Sequence, residues 1–174
     1  MFLNSLKTLA LSLLITAICP AIKAFAYEDQ LTVGGNLGFA ERIADEGPHH
    51  GGMFGISSSI GLDDIWTVRG RFSYSIHQDP DLLHAFFLST EILYLIDIME
   101  FVPFLGGGPD GVATLWKDQF EIDFALHAVI GIDYLFSREV IFGLEVRPLF
   151  VLTGTGTKPT FISVNFTSSY SFEI

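Results

Sequence analysis

The sequence predicts an all-β fold, an eight-stranded antiparallel up-and-down barrel that spans a membrane. Three observations predict it. Long stretches alternate apolar and polar residues with period two. The apolar parity is large and aromatic, whereas the polar parity is mostly small and uncharged. The breaks between stretches alternate between long and short along the chain.

The N-terminus comes first and stands apart. Lys7 is a thin basic region, Leu9 to Cys19 is an apolar run, and Ala24-Phe25-Ala26 is a small-x-small cleavage pattern. Residues 1–26 therefore read as a secretory signal peptide, and residues 27–174 as the barrel domain beginning at Tyr27. The apolar run is short for a membrane-spanning helix, which needs about 20 residues. Thr16-Ala17-Ile18 ahead of Cys19, with Pro20 behind it, lacks the pattern of a lipoprotein site. Removal of Lys7 and Lys23 with the leader lowers Lys+Arg from 9 to 7 against 20 Asp+Glu, a net charge of −13. Cys19, the single cysteine, leaves with it, so the exported chain has no disulfide and no thiolate metal site. So acidic a chain is not expected to bind nucleic acid, whose phosphates need basic clusters.

Eight strands are expected, at about 31–39, 53–62, 65–76, 84–96, 100–108, 120–136, 139–152 and 160–174. In the third, Trp66, Val68, Gly70, Phe72, Tyr74 and Ile76 share one parity, and Thr67, Arg69, Arg71, Ser73 and Ser75 the other. The fourth lies in a run, Leu82 to Ile96, whose periodicity leaves helix and strand both open. In the sixth, Ile122, Phe124, Leu126, Ala128, Ile130, Ile132, Tyr134 and Phe136 oppose Asp123, Ala125, His127, Val129, Gly131, Asp133 and Leu135. The seventh sets Val140, Phe142, Leu144, Val146, Pro148, Phe150 and Leu152 against Gly143, Glu145 and Arg147. The eighth sets Ile162, Val164, Phe166, Tyr170, Phe172 and Ile174 against Ser163, Asn165, Thr167, Ser169, Ser171 and Glu173. Residues 40–52, 77–83, 109–119 and 153–159 read as long external loops, and the connections near residues 63–64, 97–99 and 137–138 as tight turns at the end that holds both termini.

Alternation alone does not say which face is outside. A soluble lipocalin-like barrel carrying an apolar ligand also alternates, with its apolar face inward. A water-facing sheet carries many Lys and Glu, however, and here the polar parity is Gly, Ser, Thr and Asn with isolated charges. Small residues suit a narrow interior, and the aromatic face suits a bilayer, where closure removes every strand edge.

The chain resembles the small eight-stranded outer-membrane β-barrel proteins of Gram-negative bacteria, of the OmpA-domain, OmpX and opacity-protein type. The carriers are the leader, FVPFLGGG (Phe101 to Gly108), FALHAVIGIDYLFS (Phe124 to Ser137) and FGLEVRPLF (Phe142 to Phe150). The terminal SYSFEI is similar to the aromatic last strand that the barrel-assembly machinery recognises, although that signal commonly ends in Phe and this chain ends in Ile174. The resemblance covers the whole chain after the leader. It implies an outer-membrane location, lipopolysaccharide and other outer-membrane lipids as surroundings, and a monomer. Its motifs are architectural and specify no activity.

The inward parity carries the candidate site. Arg69, Arg71, Glu91, His127, Glu145 and Arg147 are expected near mid-barrel as one ion-pair network. A hairpin centred on Pro80 sets Arg69 opposite Glu91, and a tight turn at Ser137-Arg138 sets Arg147 beside His127, with a slip of two left open. Buried charges must be paired. Structural packing that plugs the barrel is the first expectation. A narrow conduit is the alternative, with Glu121, Asp123, Asp133 and Glu173 near the rims biasing it toward cations.

Other motifs carry less. A lipid A-modifying barrel enzyme needs a lipid-facing His beside a Ser and an orienting acid. His127 has the inward parity, and lipid-facing His84 has Ser89 and Glu91 on the opposite parity, so no enzyme is expected. His49 and His50 with Asp45 and Glu46 are weak metal candidates, and no cofactor is expected. Asp79, Asp81 and Asp110 read as turn residues that can also meet a divalent cation. Gly106-Gly107-Gly108 is followed by no Lys-Ser/Thr pair and is read as strand, not as a phosphate loop.

Overall fold

A computed structural model describes residues 30–44, 47–63, 65–78, 82–96, 100–116, 119–153 and 159–173. The predicted signal peptide, Asp45, Glu46, Asp79, Asp81 and Ile174 lie outside the described residues. Eight strands form one closed barrel in chain order: β1 Gln30–Ala44, β2 Gly47–Gly61, β3 Trp66–His77, β4 Leu83–Leu95, β5 Phe101–Trp116, β6 Gln119–Leu135, β7 Val140–Val151 and β8 Thr160–Glu173. Every neighbouring pair is antiparallel, and closure comes from β1 against β8, running from Gln30↔Glu173 to Ile43↔Thr160. The start of β1 and the end of β8 thus share the end that carries the β2–β3, β4–β5 and β6–β7 connections.

Two of these turns are held by side chains. Asp63 Oδ1 accepts the backbone N–H groups of Ile65 at 2.9 Å and Trp66 at 2.7 Å. Ser137 Oγ accepts those of Glu139 at 3.3 Å and Val140 at 3.0 Å. A short polar side chain satisfies turn donors that no strand can reach.

The apolar parity faces out. Leu37 and Ile122 are each 68% exposed, and Val33, Phe54, Phe72, Leu88, Leu105, Ile130, Leu144 and Val164 belong to the same belt. Trp66 with Tyr94 and Phe101 with Tyr134 pair at ring separations of 5.1 and 5.0 Å near the terminal end, as an interfacial aromatic girdle does. This is the surface of a transmembrane barrel. It is the reverse of a lipocalin-like carrier, whose apolar face points inward. The run from Leu82 to Ile96 resolves as strand β4.

Three strands are longer than their sequence signal. β1 and β2 continue to Ala44↔Gly47, and β5 continues to Trp116, paired with Gln119 of β6. Two of the four expected long loops, 40–52 and 109–119, are therefore mostly strand. Glycine and proline mark loops in soluble sheets, but in a barrel wall glycine permits close strand approach and a proline can sit where the ladder is interrupted. Pro109 illustrates this. Its pairing with Leu126 of β6 is intact, whereas the β4 ladder passes from Ser89↔Asp110 to Ile92↔Gly107 across it.

The external half of the lumen is packed with apolar side chains. Toward the end opposite the termini, Met53, Phe87, Val112, Leu149, Val151 and Phe161 form an apolar cluster, with Phe87 and Phe161 edge to face at 5.4 Å. Phe87→Ala is expected to cost on the order of 3 kcal/mol through the cavity it leaves. Urea unfolding in lipid vesicles measures this, and an unchanged midpoint would show that the cluster is not packed.

Candidate functional site

Between that cluster and the terminal end lies a buried ionic layer. Its members come from five strands because period-two alternation puts every second residue inward and the stagger of the barrel brings different strands to one level. β3 supplies Arg69 and Arg71, β4 supplies Ser89 and Glu91, β5 supplies Asp110, β6 supplies His127, and β7 supplies Glu145 and Arg147. All eight are buried.

The contacts are continuous. Arg69 Nε donates to Glu91 Oε1, and its Nη2 donates to Glu145 Oε2 at 3.0 Å. Arg71 grips Glu145 as a fork, Nη1 on Oε1 and Nη2 on Oε2, the latter at 2.8 Å. Such a bidentate pair uses the planar geometry that only arginine offers. The Arg69 guanidinium also lies 5.4 Å from the ring centroid of Phe104. His127 stands between two carboxylates, Nε2 at 2.9 Å from Glu91 Oε2 and Nδ1 against Asp110 Oδ2. Arg147 Nη2 donates to Asp110 Oδ1 at 2.8 Å and to Ser89 Oγ, and Ser89 Oγ donates to Asp110. Asn165 of β8 links Glu145 Oε1 at 3.3 Å to Ser163 Oγ at 3.0 Å.

The structure brings together all six sequence-predicted members. Arg69↔Glu91 is a direct register pair. Arg147 is not opposite His127. The β6–β7 register runs His127↔Leu149 to Ile130↔Val146, two residues displaced, because the turn centres on Arg138 and leaves four residues, 136–139, between the strands. Arg147 still reaches His127 Nδ1, at 3.2 Å, on the diagonal.

One central member was not anticipated. Asp110 reads as a turn residue inside Gly-Pro-Asp-Gly, yet it is 1% exposed and takes contacts from Ser89, His127 and Arg147. Its signal was parity: Phe104, Gly106, Gly108, Asp110 and Val112 face inward in step. With Asp110 counted, three guanidinium groups meet three carboxylates. The layer itself is balanced, and the expected additional acid sits beside it, with Asp133 facing inward on β6 on its terminal side. Glu121 and Asp123 lie apart from it, and Asp123 Oδ1 accepts from Thr153 Oγ1 at 3.1 Å on the external side.

The remaining candidates lie elsewhere. His49 and His50 are adjacent on β2 and so point to opposite faces. His50 Nδ1 lies 3.5 Å from Glu41 Oε2, and its ring lies 5.5 Å from that of Phe39. His49 offers its backbone carbonyl to His77 Nδ1 at 3.2 Å. Among the described residues, no three His, Cys, Asp or Glu side chains are gathered to hold a metal. His84, on the outer face, shares a hydrogen bond with the Tyr74 hydroxyl, Nδ1 to oxygen 2.6 Å, and stacks on that ring at 6.0 Å.

No family model matches the sequence, and no curated protein matches it. The fold has solved counterparts. Neisserial surface protein A (NspA) superposes with a TM-score of 0.68 at 15% identity, covering 83% of this chain and 97% of that one. The N-terminal β-barrel domain of Pseudomonas aeruginosa OprF gives 0.60 at 12% identity, covering 83% and 98%. The outer membrane enzyme PagL gives 0.54 at 13% identity, covering 79% and 97%. The chain thus has the eight-stranded barrel fold of outer-membrane proteins. That fold hosts an enzyme in one of these neighbours, so it does not decide activity.

Proposed function

We propose that this chain is a plugged outer-membrane barrel of a Gram-negative bacterium, with a structural or surface-interaction role and no catalytic activity. The observation that carries this reading is the charge-balanced ionic layer stacked on the apolar cluster, which together close the lumen at mid-barrel and toward the external end. A conducting pore keeps a water-lined path, whereas here each carboxylate is committed to an arginine, His127 or a hydroxyl. In this reading the leader directs export, the barrel-assembly machinery inserts the chain as a monomer, and lipopolysaccharide surrounds the external rim. A lipid-modifying activity is not favoured, since His84 is engaged by Tyr74 and both Ser89 and Glu91 face inward.

Planar-bilayer recording tests the reading against a narrow cation-preferring pore. The wild-type protein is expected to give no resolvable conductance steps. Cation-selective steps in the wild type, or steps appearing in a folded Arg69→Ala protein, would establish a gated conduit instead.

A further inference from the structure

The two halves of the lumen are not alike. On the external side of the ionic layer the inward residues Ala40, Ala85, Phe87 and Phe161 are buried. On the terminal side, along β8, β1, β2 and β3, Thr32, Ser57, Ser59, Thr67, Thr167 and Ser169 face inward and are partly exposed, while Ser171 is buried. All seven carry a hydroxyl. The facing wall is built from Leu93, Phe104 and Val129, with Leu95 packed against them and Asp133 of β6 nearer the terminal end. Hydroxyl groups therefore line one side of the lumen from the ionic layer toward the end that holds the chain termini.

Its inner end is polar and short of partners. Asn36, through both amide atoms, Ser73 Oγ, Arg71 Nε and Asn165 Oδ1 are buried without a protein partner among the described residues. Leaving such a group unmet costs roughly 1–3 kcal/mol, so each calls for a partner beyond the described residues, such as water. The geometry permits one. A Cβ on Gly55 would stand 2.5 Å from Ser73 Oγ and 2.7 Å from Asn36 Oδ1, so these two atoms are close enough for one water to bridge them. Glycine at position 55 leaves that space clear.

We propose that this half of the lumen is a water-filled blind vestibule, entered from the terminal side by small polar solutes and closed at its inner end by Arg71, Asn36 and Ser73. Its chemistry is hydrogen-bonding, with the carboxylate of Asp133 on its wall, and the arginines beneath it are already matched by carboxylates. It is compatible with a barrel that does not conduct, because the apolar cluster closes the other end.

Cysteine accessibility tests this, and Cys19 is the only native cysteine to remove. In a Cys19→Ala background, single variants Ser57→Cys, Ser169→Cys, Ser58→Cys, Ala85→Cys and Ser137→Cys are inserted in phosphatidylcholine vesicles and checked for folding by gel shift. Each is then treated with a small cationic methanethiosulfonate. Ser57→Cys and Ser169→Cys should react within about tenfold of the turn control Ser137→Cys, and Ala85→Cys and lipid-facing Ser58→Cys at least about 100-fold more slowly, since thiolate access sets the rate. With reagent confined to one side of the membrane, the vestibule positions should react from the terminal side alone. If Ser57→Cys and Ser169→Cys are as protected as Ala85→Cys, the vestibule does not exist. Reaction from both sides would show that it is not blind. Either serine variant suffices if the other does not fold.

Discussion

Glu145→Ala is expected to destabilise the barrel by roughly 3–5 kcal/mol, the range for removing one partner of a buried charge pair. Glu145 accepts the fork of Arg71 and a further bond from Arg69, so its loss strips partners from two guanidinium groups at once. Urea unfolding in lipid vesicles, followed through tryptophan fluorescence, measures the loss. The double variant Arg71→Met/Glu145→Met separates charge from shape. It should recover part of the stability lost in Glu145→Ala, because replacing a buried pair by apolar side chains of similar size is often neutral or favourable. A Glu145→Ala protein within about 0.5 kcal/mol of wild type, the scale of a surface change, would mean that the layer is hydrated and screened.

Gly108→Val is expected to prevent closure of the barrel altogether. Gly108 faces inward on β5 where the β4 ladder skips across Pro109, and there the β4 backbone comes close. A Cβ at Gly108 would collide with the Thr90 carbonyl oxygen and stand 3.0 Å from both Thr90 C and Glu91 Cα. These are backbone atoms and cannot rotate away. Moving β4 aside would also pull Glu91 from Arg69 and His127. The variant should give no folded species on an unboiled gel. Gly52→Ala is the control, since a Cβ there meets nothing within 4 Å, and it should fold as the wild type does. A folded Gly108→Val barrel would show that the β4–β5 seam is looser than described.

What was legible in the sequence follows from which signals survive a closed wall. Strands β3, β6, β7 and β8 alternate cleanly because one face meets lipid and the other a narrow lumen, and Arg69 falls against Glu91 of β4 once the third hairpin is centred on Pro80. The inward turn of Phe87 and Phe161 was not legible. Phe86-Phe87-Leu88 is apolar on both faces, so alternation carries no information where the lumen itself is apolar. Asp110 was hidden for a different reason. The residues around it, Gly108, Pro109 and Gly111, are turn formers in water-facing sheets, whereas here they mark a seam in which strand and proline coexist. The position of Arg147 depended on one hydroxyl, that of Ser137, which fixes a turn one residue later than the shortest possibility.

The central claim is that the aromatic parity faces lipid and the charged parity faces the lumen. The most direct test is the electrophoretic heat shift of residues 27–174 refolded into detergent or phospholipid vesicles, with circular dichroism alongside. The account predicts a compact, β-rich, fast-migrating form that converts to the slower unfolded band on boiling. A protein that stays monomeric and folded in water without detergent would contradict it, because the exposed belt centred on Leu37, Phe54, Ile122 and Leu144 would then have to be buried.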